Sequence, residues 1–230
     1  MQCPQCNSTH IRKNGNRKGK QRYICADCQR QFLSVYEPPK GYSDDLKREC
    51  LELYVNGMGF RAIERVKGVH HTTIIHWVKQ LAQRLPNTPQ ESNIPQVGEL
   101  DELQTFVPLK KNKIWLWTAV NHFSPGILAW VLGDRSAETF KPLWQVVHCW
   151  HSYFYVTDGY KVYQSFIGDA DQIVDKTYMT RVESENTRLR HYLARLHRKT
   201  LCYSKSVVML KYSIRLLLHY LKYRTVPVQY

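Results

Sequence analysis

The chain has 230 residues, of which 43% are hydrophobic, and a formal net charge of +14. This length allows one full-sized domain with one or two small ones, and no run of about eighteen apolar residues offers a transmembrane helix. The N-terminus, Met-Gln-Cys-Pro-Gln-Cys, lacks an apolar signal core. We therefore expect a cytoplasmic protein without a membrane partner.

The positive charge is concentrated at the two ends of the chain. Residues 1–40 carry eight Lys and Arg against two acids, and residues 181–230 carry eleven against two. Residues 97–180 carry seven against nine. Segregated basic charge with aromatic residues among it is typical of proteins that bind nucleic acid. The pattern predicts that the two ends of the chain bind a polyanion and that acids of the middle segment take part in catalysis.

Two C-x2-C pairs occur near the N-terminus, separated by eighteen residues. Four thiolates at such a spacing complete a tetrahedral zinc site. A segment of this size cannot fold on apolar burial alone, so the metal would supply its stability. We predict a zinc ribbon over residues 1–40. Its structural Zn²⁺ would be held by Cys3, Cys6, Cys25 and Cys28.

A basic turn lies between the two cysteine pairs. Its candidate phosphate contacts are Arg17, Lys18 and Lys20. A ribbon that binds protein is the alternative, and the positive turn favours DNA.

Residues 41–86 contain three short helical patterns. Ser43 starts the first helix, Gly68 stops the second, and Thr72 or Thr73 caps the third. This order is typical of a helix-turn-helix, with a plain three-helix bundle as the alternative. The outward side chains of the third helix suit the major groove. They are Thr73, His76, Lys79, Gln80 and Arg84.

Residues 87–96 are proline-rich and almost devoid of apolar side chains, which predicts a linker. From residue 97 the pattern gives three strands, a helix, a fourth strand, a short helix, a fifth strand and a long helical segment from Val182 to beyond His197. This order predicts an α/β domain over residues 97–230, with helices on a mixed sheet.

Two acids of this domain stand at strand ends, and a third opens the arginine-rich helix. They are Asp101, Asp158 and Glu183. A carboxylate at the end of a buried strand is costly unless something compensates it, and a metal ion is the usual compensation. Glu102 faces opposite to Asp101 on its strand, so only one of the two can serve. Glu185 is predicted to face solvent.

The order of these features resembles the insertion-sequence-one family of transposases. The resemblance rests on the four cysteines, the helix-turn-helix, the three acids with 24 residues between the second and third, and the string Leu189-Arg-His-Tyr-Leu-Ala-Arg-Leu-His-Arg-Lys-Thr200. It implies a ribonuclease-H-like catalytic domain of the Asp-Asp-Glu type. It also implies Mg²⁺, with Mn²⁺ as an alternative, and binding to double-stranded DNA at the element's terminal inverted repeats and at the target. The choice of Asp101 over Glu102 follows from it.

The implied chemistry is DNA strand cleavage followed by strand transfer, with two Mg²⁺ ions held by the three acids. Basic side chains would neutralise the phosphates: Arg190, His197, Arg198, Lys199 and Lys205. Joining two element ends needs at least two protomers, so we expect a homo-oligomer on DNA. The alternatives are a transcription regulator without catalysis, a nuclease that does not join strands, and a recombinase with a tyrosine nucleophile.

Overall fold

The computed structural model describes residues 1–17, 19–33, 41–89, 94–197 and 199–228. The chain divides into two compact units, Met1–Tyr42 and Ser43–Tyr230. Within the described ranges, every helix is too short or too polar to cross a bilayer.

The first unit is a small antiparallel sheet with the strand order β1-β2-β3. Its strands are β1 (Ile11–Arg17), β2 (Lys20–Cys25) and β3 (Gln31–Leu33). Phe32 and the buried Cys3 and Cys25 form its core, with Tyr23 stacked on Phe32 at 6.1 Å between ring centroids. The cysteines thus occupy the centre of a unit that has almost no other core.

Three helices open the second unit: α1 (Asp44–Val55), α2 (Phe60–Lys67) and α3 (His71–Arg84). The predicted serine cap is confirmed, because the Ser43 hydroxyl accepts the Leu46 N–H. Gly68 ends α2 in the left-handed conformation. The predicted threonine cap of α3 is wrong. His70 holds the N-cap position, and its ring nitrogen accepts the Thr72 N–H in the place of a hydroxyl oxygen.

A five-stranded mixed sheet with four helices makes up the rest of the second unit. The strands are β4 (Val97–Phe106), β5 (Lys113–Asn121), β6 (Ile127–Gly133), β7 (Phe154–Thr157) and β8 (Gln172–Val174). The helices are α4 (Ala137–His148), α5 (Lys161–Gln164), α6 (Thr180–Tyr192) and α7 (Val207–Tyr223). The strand order is β6-β5-β4-β7-β8. The pairs among β4, β5 and β6 are antiparallel, whereas β7 is parallel to both β4 and β8.

Helices cover both faces of this sheet, as the predicted α/β class requires. On one face, Trp117 of β5 packs with Phe140 of α4 and Tyr163 of α5. On the other face, Leu103 of β4 belongs to one continuous core with Leu189 of α6, and with buried residues of α7 and of α1 to α3. The predicted mixed α/β architecture is therefore confirmed.

Helix α3 lies against α7, so the three N-terminal helices share a core with the sheet. Arg215 of α7 donates to the Ala82 carbonyl at 3.3 Å and to the Asn87 side chain at 2.8 Å. The start of the predicted linker 87–96 is thereby held in place, while residues 90–93 of it lie outside the described ranges. The division of the chain at residues 40, 86 and 96 stays a prediction.

Glu99 anchors the N-terminus of α6 to the centre of the sheet. Its fully buried carboxylate accepts the Val182 N–H at 2.7 Å and pairs with His122 Nδ1. The first N–H groups of a helix have no partner within the helix, and a buried carboxylate needs donors. This contact satisfies both groups and fixes where α6 begins relative to β4.

Helix α6 is shorter than predicted. The expected helix continues beyond His197, but α6 ends at Tyr192 and is followed by a 3₁₀ turn, Ala194–Leu196. Within this turn the Arg195 guanidinium donates to the Tyr54 hydroxyl at 2.7 Å. Tertiary contacts with α1 thus outweigh the helical pattern of the sequence.

Replacing Glu99 with alanine would leave the Val182 N–H and the His122 ring without their shared partner. We expect the free energy of unfolding to fall by about 2 kcal/mol, as for other buried donors left unsatisfied. Urea denaturation followed by circular dichroism measures the change. Glu138→Ala, at an exposed position of α4, is the control and should cost about 0.5 kcal/mol or less. Equal losses in the two variants would contradict the anchoring role.

Candidate active site

Parallel pairing of β4 and β7 brings two of the predicted acids to the same level. Glu99 lies opposite Val156, and continuing this register past the end of β7 sets Asp158 beside Asp101. Alternate residues of a strand share a face, so both acids fall on the face that α6 covers. Gly159 then turns the chain with a φ of 78°, where a Cβ atom would approach Val174 to 2.6 Å.

Asn186 connects Asp101 to α6. Its Nδ2 donates to Asp101 Oδ2 at 2.7 Å, and its Oδ1 accepts the Thr118 hydroxyl at 3.1 Å. The residue is only 3% exposed, so these two bonds fix both the amide and the carboxylate that it orients. Glu183 precedes Asn186 by about one helical turn and therefore lies on the same side of α6.

A cavity of about 440 Å³ opens where β4, β7 and α6 meet. All three predicted acids line it. The full lining is Asp101, Glu102, Trp115, Arg135, Asp158, Lys176, Met179, Glu183, Asn186, Thr187 and Arg190. Among the described residues, the three acids are not one of the groups whose ligand atoms all lie within 4.8 Å of one another. They share the cavity at wider spacing.

The surroundings of Asp101 in the cavity oppose its ionisation. Burial raises the pKa of the Asp101 carboxyl, donation from Asn186 opposes the rise, and the Asp158 and Glu183 carboxylates add to it. Carboxylate oxygens are the donors that Mg²⁺ prefers, and a cation would offset their mutual repulsion. The residues present therefore fit a divalent hard metal ion.

Glu102 faces the opposite side of β4. Its carboxylate accepts the Tyr163 hydroxyl at 2.6 Å and Arg135 Nε at 2.8 Å, and its side chain is 2% exposed. The Arg135 guanidinium lies over the rings of Trp115 and Tyr160, at 4.6 and 4.0 Å from their centroids. Glu102 is thus saturated by its own partners, and Asp101 is the member of the pair that faces α6.

Arg135 was not a candidate on sequence grounds, although its side chain reaches the cavity rim. It follows β6 in a short Gly-Asp-Arg-Ser loop. The sequence gives only an indirect signal for Arg135. Glu102 must face away from Asp101, and a buried acid needs a cation or hydrogen-bond donors as partners.

Tyr160 and Tyr163, which follow Asp158, have structural roles. Tyr163 is buried, and burial followed by the Glu102 charge raises its pKa well above the ordinary value. Tyr160 donates its hydroxyl to the Arg135 carbonyl at 3.0 Å. A nucleophilic phenol needs a lowered pKa or a nearby base that is free to take its proton, so this environment disfavours a tyrosine nucleophile.

Glu185 is not a solvent residue, and that prediction is wrong. It is 4% exposed, accepts the Gly126 N–H at 3.0 Å and lies 3.4 Å from Arg188 Nη1. Helix α6 therefore directs Glu183 to the cavity and Glu185 to the β5–β6 turn. Helical spacing alone does not predict that the second acid is buried.

The predicted basic contacts fall into separate groups. Arg190 lines the acidic cavity and also a neighbouring pocket of about 480 Å³ with His197, Lys199 and Thr200. Lys205 instead lines an apolar pocket beside α2 and α3. Arg198 lies outside the described residues.

The α3 candidates lie on the outer side of that helix. Lys79, Gln80, Arg84 and His76 are exposed and Thr73 is partly buried, while the inner side chains join the core. None of these five lines the acidic cavity.

In the first unit, Arg17 and Lys20 are exposed at the β1–β2 turn, and Lys18 of that turn lies outside the described residues.

The four N-terminal cysteines come together as predicted. Their sulfur atoms all lie within 4.8 Å of one another, with Cys3 Sγ 3.5 Å from Cys28 Sγ and Cys6 Sγ 3.6 Å from Cys25 Sγ. Burial opposes ionisation of the Cys3 thiol, but backbone donors at Cys6 and Gln5 outweigh it and lower its pKa to about 6. Backbone donation, first from Cys28, also lowers the pKa of the Cys25 thiol, whereas the pKa values of Cys6 and Cys28 are raised. A cluster of four thiols of which two ionise readily is compatible with structural zinc.

Comparison with known proteins agrees with this geometry. Residues 96–224 match the family model described as IS1 transposase. The chain is 34% identical over 110 residues to the insertion element IS1 protein InsB of Shigella flexneri, covering 48% of this chain and 84% of the relative. It is 33% identical over 116 residues to the insertion element IS1 2 protein InsB of Escherichia coli K12, covering 50% of this chain and 70% of the relative.

The matched segment contains the sheet, the acidic cavity and α6, and the relatives are bacterial insertion-element proteins. The chain therefore belongs to the IS1 transposase family.

Proposed function

We propose that this transposase binds the terminal inverted repeats of an insertion element and carries out metal-dependent strand cleavage and strand transfer. Asp101, Asp158 and Glu183 would be its catalytic carboxylates. The observation that carries the proposal is the convergence of two level acids from parallel strands with one acid from α6 in a single cavity.

The ribonuclease-H-like fold is part of this proposal. It is supported by a sheet in which three antiparallel strands continue into two parallel ones, in the order β6-β5-β4-β7-β8. In such open sheets, functional groups gather at the carboxyl ends of parallel strands. Asp158 follows the carboxyl end of β7, whereas Asp101, predicted at a strand end, lies level with it in the middle of the longer strand β4.

The chain's own residues would hold the reacting groups in place. Asn186 fixes the Asp101 carboxylate in one orientation, and Glu99 fixes the start of the helix that carries Glu183. Lys176 and Arg190, which line the same cavity, would contact the phosphates on either side of the scissile bond. When bound, Mg²⁺ or Mn²⁺ would activate the attacking oxygen and stabilise the leaving oxygen.

DNA recognition would use surfaces outside the cavity. The exposed outer side of α3 offers side chains suited to the major groove, and the β1–β2 turn offers phosphate contacts. Arg190, His197 and Lys199 form a basic rim next to the acids. Joining two ends would bring at least two protomers together on DNA.

Loss of one catalytic acid should abolish chemistry and preserve binding. For Asp158→Asn we expect the cleavage rate of a labelled terminal-repeat duplex in Mg²⁺ to fall about 1000-fold or more, because several kcal/mol of transition-state stabilisation is lost. Its affinity for the same duplex should stay unchanged. Asp169→Asn, at an exposed loop position, is the control and should cleave like the wild type.

Three outcomes of that assay are informative. Joining that needs both metal and Asp158 supports the transposase, and cleavage without joining indicates a nuclease. Full activity of the Asp158→Asn protein would refute the assignment.

Contacts of α3 should separate into phosphate binding and base reading. Lys79→Ala should weaken binding to specific and unrelated duplexes alike and reduce the salt slope by about 1. Gln80→Ala should reduce the preference for the terminal repeat by about 1–3 kcal/mol. Lys141→Ala, exposed on α4, is the matched control. Fluorescence anisotropy at several salt concentrations measures both effects, and identical behaviour of all three variants would exclude α3 from the interface.

Structural zinc in the first unit can be counted directly. Cys6→Ser should lower the metal content by one Zn²⁺ per chain and make the first unit sensitive to protease, because a unit this small depends on its metal. Cys149→Ser, at an exposed free cysteine, should change neither property. Metal analysis combined with limited proteolysis provides the measurement, and full zinc retention in Cys6→Ser would disprove the site.

A further inference from the structure

A second cluster of metal-ligating side chains lies at the turn between α2 and α3. Glu64 belongs to α2, His70 caps α3, and His71 is its first residue. Among the described residues, only this cluster and the four cysteines bring three or more ligand atoms within 4.8 Å of one another. Gly68, with a φ of 68°, reverses the chain so that the two histidines return to Glu64.

The two carboxylate oxygens of Glu64 face two different imidazoles. Oε2 lies 2.8 Å from His71 Nδ1, and Oε1 lies 3.8 Å from His70 Nε2. Tetrahedral Zn²⁺ with ligands at about 2.0–2.1 Å keeps ligand atoms roughly 3.3 Å apart. The two observed separations bracket this value. Small side-chain rotations would therefore place the ligand atoms of Glu64, His70 and His71 around one ion.

Thr72 fixes the orientation of the His70 ring. Nδ1 of His70 accepts the Thr72 N–H, so Nε2 is the ring nitrogen that faces Glu64. A metal ion bound by Nε2 would displace the proton that this nitrogen carries while Nδ1 accepts. The nearby cation Lys67 is already paired with Glu49 at 2.6 Å.

The site is partly shielded from solvent. The side chains of Glu64 and His71 are 32% and 27% exposed, and that of His70 is 58% exposed. The rings of His70 and His71 lie 4.3 Å apart between centroids. Two nitrogens and one carboxylate oxygen form a ligand set that suits zinc and leaves a fourth position for water.

We propose that Glu64, His70 and His71 bind a divalent transition metal, Zn²⁺ in the first instance, separate from the four-cysteine site. The ion would join α2 to the first turn of α3. If α3 reads DNA as proposed above, the ion also fixes the angle of the reading helix, but metal binding itself does not rest on that function.

Metal titration of the full chain, purified with zinc on its cysteines, tests the proposal. We expect isothermal titration with ZnCl₂ to show one further ion per chain. His70→Asn keeps a capping side chain and removes the ligand. This variant and Glu64→Gln should each bind the further ion at least about 10-fold more weakly. His191→Gln changes an exposed histidine of α6 and should bind the metal like the wild type.

Cobalt distinguishes the two sites in the same protein. Co²⁺ added to the zinc-loaded chain should give visible absorption without a thiolate charge-transfer band, and His70→Asn should remove that absorption. Circular dichroism of each variant, recorded before Co²⁺ is added, checks that the protein is folded. A wild-type chain that takes up no further ion, or a His70→Asn protein that takes it up equally, would overturn the proposal and leave an ordinary carboxylate–histidine pair.

Discussion

Parallel pairing between β4 and β7 is the constraint on which the candidate active site depends. Side chains alternate along a strand, so a slip of one residue would turn Asp158 toward the opposite face, where Glu102 and Tyr163 pack. Gly98 helps to hold the register: a Cβ atom there would come within 3.1 Å of the ring of its strand partner Tyr155. Asp101 and Asp158 are therefore neighbours because of a backbone pairing between segments more than fifty residues apart in the sequence.

The third acid, Glu183, is positioned by hydrogen bonds between α6 and β4 rather than by strand pairing. Glu99 holds the first turn of α6, and Asn186 holds its middle, each bonded from α6 to β4. Two attachment points along one helix restrict both its translation and its rotation, so the position of Glu183 follows from them. Preorganised carboxylates of this kind suit a metal that must bind reacting oxygens with little rearrangement. The charge they concentrate is also what makes the cavity attractive to a cation.

Local patterns in the sequence were sufficient for much of this arrangement. The five strands, the cysteine cluster, the Ser43 cap and the buried side of α3 are all short-range signals, and the structure agrees with them. The failures have long-range causes. Glu185 is buried because the β5–β6 turn offers it the Gly126 N–H, and α6 stops at Tyr192 because Arg195 bonds to α1. The role of Glu99 depends likewise on a partner 83 residues away, which periodicity does not reveal.

The central claim is that Asp101, Asp158 and Glu183 together bind the catalytic divalent ions. Localised radical cleavage tests it most directly: Fe²⁺ substituted into the site, with ascorbate and peroxide, cuts the nearby backbone. The account predicts cuts close to all three acids, suppressed by excess Mg²⁺ and absent from Asp158→Asn. Cuts that avoid these three segments, or that persist unchanged in excess Mg²⁺ or in the variant, would contradict it.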